Sequence, residues 1–151
     1  MQRADCLFIT CFQNGNFLPL VLKPLSYLHF RQLACVDNRS KIIVEECRYT
    51  FSKSPNPDDE SKWIFRYEYS LKPEPNKIIP HAHLHLNAFR NDKTIKHMHF
   101  PTGRLSVEQI IAHLIVEHQI KPKMADWFKL LDDSHKGFTK RRNDLALALF
   151  P

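Results

Sequence analysis

The sequence predicts an α+β fold, an antiparallel sheet packed against two or three C-terminal helices. Three observations carry that prediction. Apolar and polar residues alternate with period two over positions 63–71 and again over 81–87. From Val107 the apolar spacing changes to that of an amphipathic helix. Asn14-Gly15 separates two apolar runs near the N-terminus, where a tight hairpin turn needs positive φ. At 151 residues, 43% hydrophobic and 25% charged, the chain has the length and apolar content of one self-folding domain, residues 1–151.

Taken in order, positions 6–12 and 17–22 are the arms of an N-terminal hairpin. Positions 26–36 fit either a helix, through Leu25, Leu28 and Leu33, or a strand, through Leu28 and Phe30. Ile42, Ile43, Val44, Tyr49 and Phe51 give a strand over 41–51, followed by a long polar loop with Pro55, Pro57, Asp58 and Asp59. In 63–71, Trp63, Phe65, Tyr67, Tyr69 and Leu71 share one face, and Ile64, Arg66, Glu68 and Ser70 the other. Positions 81–87 and 94–100 form a second hairpin around a polar turn at 89–93. Pro101 stops the strand, and Ser106 with Gln109 is a capping-box signature. Val107, Ile110, Ile111, Leu114 and Ile115 then line a helix that packs on the sheet and ends by Pro122. A second helix over 123–135 closes at Gly137, and a third segment covers 140–149. Trp127 and Phe128 are read as packing residues.

Composition excludes several function classes. The longest apolar run, 17–25, is broken by Pro19, Lys23 and Pro24 and falls short of the ~20 residues of a membrane span. The glycines, Gly15, Gly103 and Gly137, are too far apart for a P-loop or a dinucleotide-binding fingerprint. Cys6, Cys11, Cys35 and Cys47 contain no CxxC pair and are expected as reduced thiols in a cytoplasmic protein without a secretion signal. The net charge of +6 is uneven, with 10 basic against 9 acidic residues up to Pro75 and 12 against 7 beyond it. The basic half suits an anionic partner.

Eight of the nine histidines follow Asn76, and His81, His83, His85, His97 and His99 fall within 19 positions. Period two puts the first three on one strand face, opposite Ala82, Leu84 and Leu86. With the turn near residue 91, His83 lies across from His99 and His85 from His97, all five sharing one open patch to which the preceding strand adds Arg66 and Glu68. A single histidine on a strand's solvated side carries no message. Five together do, because imidazoles that protonate side by side repel, and a sheet gains nothing from them structurally.

Two chemistries use such a cluster. In metal-free RNA cleavage one histidine takes the 2′-hydroxyl proton, a second protonates the leaving 5′-oxygen, and a cation stabilises the phosphorane charge. His81, His83, His85, His97 and His99 are the acid/base candidates, Arg66 the stabiliser and Glu68 the orienting carboxylate. Lys93, Lys96 and Arg104 are the nearby nucleic-acid-binding cations, and no cofactor is required. The alternative is a zinc-dependent hydrolase. His81 and His85 are ~13 Å apart along a strand, so one ion needs an i, i+2 pair and a cross-strand partner, such as His83, His85 and His99, with Glu68 as base or outer partner. A third class is a non-catalytic module that binds nucleic acid or protein.

Trp63-Ile-Phe-Arg-Tyr-Glu-Tyr, Pro80-His-Ala-His-Leu-His, and Pro101 followed by Ser106-Val-Glu-Gln-Ile-Ile resemble the TumE-like toxin family of prokaryotic toxin–antitoxin operons, over about residues 40–118. Arg66, His81, His83 and His85 match its motif. The resemblance implies a small cytoplasmic ribonuclease-type toxin, with RNA as substrate and a DNA-binding antitoxin protein as partner. The N-terminal hairpin, the return strand with His97 and His99, and the longer helical end depart from the family pattern. The expectation is a basic, His-rich ribonuclease with no membrane partner, and a homodimer is left open.

Overall fold

The structure, a computed structural model, describes residues 6–10, 12–13, 16–17, 20–22, 25–36, 42–72, 78–90, 93–94 and 98–149. The fold is α+β. The chain divides into two compact units, Met1–Arg104 and Leu105–Pro151.

The first unit is built on antiparallel strands. In chain order these are β1 (Cys6–Thr10), β2 (Phe12–Gln13), β3 (Asn16–Phe17), β4 (Leu20–Leu22), β5 (Ser26–Val36), β6 (Ile42–Ser52), β7 (Trp63–Ser70), β8 (Ala82–Leu86), β9 (Phe89–Arg90), β10 (Lys93–Thr94) and β11 (Phe100–Pro101). The main sheet runs β1-β5-β6-β7-β8-β11, with β4 also on β5. The ambiguous segment 26–36 is thus a strand of eleven residues, for it is the central template on which β1, β4 and β6 all pair.

The hairpin expected around Asn14-Gly15 is present but short. Phe12 pairs with Phe17 and Gln13 with Asn16, whereas the longer arms do not pair with each other. β1 pairs with residues 31–35 of β5 and β4 with residues 26–28, so both occupy the edge of β5 opposite β6. The second hairpin is likewise split: β9 pairs with β10, and β11 returns to β8.

Register sorts the two sides of the sheet. Phe30, Tyr49, Tyr67, Leu84 and Phe100 are successive cross-strand partners, flanked by the row Leu28, Phe51, Phe65 and Leu86. Tyr67 is fully buried and Tyr49 is 1% exposed. Their rings stack at 5.6 Å and 11°, and the Tyr49 hydroxyl accepts from Gln32 Nε2 at 2.7 Å. Burial pushes the Tyr49 phenol far above its ordinary range and the Cys47 thiol up to about 11, so neither is a nucleophile near neutral pH.

Among the described residues, strict register is broken at two places, one of them between Leu33 and Ala34 in the β5–β6 pairing and the other in the β6–β7 pairing. The register shifts between Phe51 and Ser52, pairing Ser52 with Trp63. Trp63 thereby meets Arg66, whose guanidinium lies 3.9 Å from its ring centroid, instead of joining the tyrosines. The connection 53–62 is a folded loop ending in a 3₁₀ turn, Glu60–Lys62, not an extended one.

The second unit holds α1 (Val107–Glu117) and α2 (Trp127–Leu149). The capping box is present: Ser106 Oγ accepts from Gln109 N and Gln109 Oε1 accepts from Ser106 N at 2.9 Å. Ile110 and Leu114 are the buried residues of the α1 stripe. The helix stops five residues short of Pro122, where Gln119 adopts φ 55°. Gly137 lies inside α2 rather than ending a helix, so the two segments expected on either side of it are continuous. Ser134 Oγ donates to Glu108 Oε1 at 2.6 Å, and Ser106 Oγ meets His135 Nδ1 at 3.1 Å, joining α1 to α2. Phe128, expected in packing, is 67% exposed. No helix among the described residues is long and apolar enough to cross a membrane.

Tyr67→Ala removes an aromatic that is fully buried in the sheet and should cost about 3 to 5 kcal/mol in urea unfolding. Tyr67→Phe, which gives up the hydroxyl and with it a 3.5 Å hydrogen bond to Gly103 O, should cost about 1 kcal/mol.

Candidate functional site

The side of the sheet opposite the tyrosines carries two adjacent polar rows. One runs Arg31, Arg48, Glu68, His83, Pro101 and the other His29, Thr50, Arg66, His85, each residue a cross-strand partner of the next. Neighbours in such a row stand ~4.5 to 5.5 Å apart at Cβ, close enough for ion pairs and hydrogen bonds.

Glu68 joins the rows. Its Oε1 lies 2.8 Å from Arg48 Nε and 3.1 Å from Arg66 Nε. Its Oε2 lies 3.3 Å from His83 Nε2 and 3.5 Å from His85 Nε2. Burial alone would raise this carboxyl, but the hydrogen bond from His85 and the charges of Arg48 and Arg66 outweigh it and hold the group at about 2. Arg66 is itself lowered, mainly by burial, with Glu68 opposing. A guanidinium starts so high that it stays charged.

His83 and His85 are buried, 6% and 4% exposed. The expectation of one open imidazole patch is therefore corrected: two of its members are covered more fully than Leu84 and Leu86 on the other side of the same strand. His83 Nδ1 faces Pro80 O at 2.9 Å while Nε2 faces Glu68, so both ring nitrogens look at oxygen acceptors. His99 is exposed and completes a triangle, its ring 4.7 Å from His83 and 4.6 Å from His85, with those two 5.0 Å apart. Burial, then the neighbouring His85 and His83, lower His99 below its ordinary value, which favours the neutral ring at pH 7.

The expected register is corrected as well. His83 pairs with Pro101 and Leu84 with Phe100, a slip of two residues from His83 opposite His99. An even slip preserves side-chain parity, so His99 still meets the histidine pair.

The remaining expected site residues divide. His81 is exposed, with Nδ1 on Ser70 O at 2.9 Å, and lies outside the triangle. Arg104 lies over the Tyr69 ring at 4.5 Å, beside the segment that Tyr67 reaches, and so belongs to the tyrosine side of the sheet. His97 and Lys96 lie outside the described residues. For Lys93 only the backbone, in β10, is described. The sequence reading did not include Arg48 and Arg31. The parity of β6, with Arg48 between the buried Cys47 and Tyr49, was the signal that could have found the first.

Two concavities flank this assembly. One of about 260 Å³ is lined by Glu68, His83, Arg31 and Arg48 among others. The other, about 440 Å³, is lined by Arg31, Arg48 and Arg66 and reaches the loop at Asp58 and Glu60. The arrangement can bind an anion, orient imidazoles for proton transfer, or hold a cation on His83, His85 and His99, whose candidate ligand atoms all lie within 4.8 Å of one another. Comparison with protein families, curated proteins and solved structures returned no match.

A carboxylate held below its ordinary value stabilises the fold above that value, and the contribution is lost as pH falls through the lowered one. From 4.5 down to about 2 the Glu68 contribution amounts to roughly 3 kcal/mol. Stability measured by urea unfolding should fall across that window, and Glu68→Gln should flatten the profile there while lowering stability at pH 7.

Proposed function

We propose that this polar face is the active centre of an enzyme that cleaves phosphodiester bonds in RNA. The observation that carries the reading is the meeting of His83, His85 and exposed His99 beside a carboxylate that is itself tied to two arginines. Imidazoles supply acid and base near neutral pH, and Arg48 and Arg66 supply charge for a phosphoryl group.

In this reading neutral His99 takes the proton of the 2′-hydroxyl. The 2′-oxygen attacks phosphorus, the bond to the 5′-oxygen breaks, and an imidazole of the His83 and His85 pair protonates that oxygen. The products are a 2′,3′-cyclic phosphate and a free 5′-hydroxyl. Glu68 is a positioning residue: it holds both buried rings by their Nε2 atoms and fixes the two guanidinium groups. The resemblance to TumE-like toxins at Arg66, His81, His83 and His85 points the same way. It would place such an enzyme in the cytoplasm under the control of an antitoxin protein.

A second reading, a zinc-dependent hydrolase, is favoured by one set of distances. Zinc bonds of 2.0 to 2.1 Å in a tetrahedron put neighbouring ligands ~3.3 Å apart, and Glu68 Oε2 is 3.3 and 3.5 Å from the two Nε2 atoms. His83 Nδ1 on Pro80 O supplies the outer hydrogen bond that orients a metal-binding imidazole. His99 would be the third imidazole ligand.

His99→Ala and His85→Ala should each slow cleavage of a mixed-sequence RNA by about 100- to 10,000-fold, with cyclic phosphate ends and no effect of chelator on the unaltered chain. Glu68→Gln should displace the pH profile of cleavage as well as lower its height. Near-stoichiometric zinc and chelator-sensitive turnover would overturn the acid/base mechanism in favour of the second reading. RNA retention without turnover, surviving His83→Ala and His85→Ala, would identify a binding module instead.

A further inference from the structure

The larger concavity beside the histidines is polarised. Arg31 and Arg48 line its near side, Arg66 and His29 the next row of the sheet, and Asp58 and Glu60 the loop beyond. Successive positions on one strand side are ~6.7 Å apart, so a ligand reaching from the Arg31–Arg48 pair past the second row to the loop has the span of one nucleotide. A phosphate is attracted to the arginine end and repelled at the acidic end. What lies against the carboxylates must therefore bring hydrogen-bond donors and no negative charge, as the edge of a neutral base can.

The acidic end is preorganised. Asp58 N donates to Asn56 Oδ1 at 3.0 Å, Glu60 N to Asp58 O at 3.0 Å, Asn56 N to Ser54 Oγ at 3.2 Å, and Trp63 Nε1 to Pro57 O at 3.2 Å. The loop is pinned to the sheet where His29 Nε2 meets Ser54 O at 3.0 Å. Its charges reach into the concavity, Asp58 acting on His29 and Glu60 on Arg66. Between the two ends lies the Arg66 guanidinium, backed by the Trp63 ring at 3.9 Å, and a guanidinium plane is a surface on which a base stacks.

Among the four RNA bases only guanine presents two adjacent N–H donors, N1–H and N2–H, on its Watson–Crick edge, and a carboxylate accepts both at once. Adenine and cytosine offer one amino group beside an acceptor, and uracil one N–H between two carbonyls. From this match we infer that the concavity is a guanine subsite for RNA: the carboxylates of Asp58 and Glu60 read the base edge, Arg66 stacks under the ring, and Arg31 and Arg48 hold the adjoining phosphate. The inference rests on the RNA-cleaving reading, and it assigns that centre a preference for cutting beside guanosine.

The test is calorimetric titration of the full chain with the four nucleoside 3′-monophosphates, paired with mapping of cut sites in a mixed-sequence RNA. Guanosine monophosphate should bind about 5- to 100-fold more tightly than the other three, and cuts should gather beside G. The doubly substituted Asp58→Asn, Glu60→Gln chain, altered only on an exposed loop, should bind all four alike. Equal binding by the unaltered chain, or a guanine preference that survives the double substitution, would overturn the subsite whatever the cleavage result. Selective binding with cuts indifferent to G would assign the concavity to free guanine nucleotides and overturn its role in RNA. Selective binding by a chain that cleaves no RNA would overturn the enzyme reading and leave guanine recognition standing.

Discussion

An ionised carboxylate on a largely covered sheet side must be met by positive charge or by hydrogen-bond donors, because burying it alone costs several kcal/mol. Glu68 sits in β7 between β6 and β8, and both neighbours answer it. Arg48 comes from β6, Arg66 from its own strand, and the imidazoles of His83 and His85 from β8. Arg66, His83 and His85 are largely covered and would be costly to bury without the carboxylate, whereas Arg48 remains half exposed. The site is thus one electrostatic unit whose parts cannot be moved singly.

What keeps the unit in place is packing on the other side of the sheet. Tyr49 and Tyr67 stack, and Phe51 and Phe65 pack at 5.6 Å. A slip of one residue in β7 would turn Tyr67 toward the arginines and Glu68 toward the aromatic rows. The apolar rows therefore determine which polar side chains become neighbours, and burial on the aromatic side keeps the Tyr49 phenol and the Cys47 thiol protonated near neutral pH. At the register break of Ser52 and Trp63, an indole passes to Arg66 and becomes the backing of the larger concavity.

Exposure is graded across the cluster. His83 and His85 are covered and held by Glu68, while His99 stands at the sheet margin. A solvent-accessible imidazole beside two covered ones suits transfer of a proton from a ligand that arrives from solvent. Covered groups hold their geometry because few rotamers are open to them. Arg31 and Arg48, lining both concavities, extend the positive field outward from the covered centre toward solvent.

Much of this was legible in the residues. Period two over 63–71 and 81–87, the capping box at Ser106 and Gln109, the helical stripe from Val107, and the convergence of Arg66, Glu68, His83, His85 and His99 follow from local spacing, which is a short-range property of the chain. The sequence alone could not say whether 26–36 was strand or helix, because that segment takes its form from three partners distant in sequence. It did not place the two-residue slip of β11 or bring Arg48 and Arg31 to Glu68, since register is decided by which rows of side chains pack across strands. Nor did it indicate that His83 and His85 are covered, or that Arg104 lies with the tyrosines. Local spacing determined which residue types share a strand side; only the tertiary pairing decided which of them touch, how deeply they are covered, and what concavity they enclose.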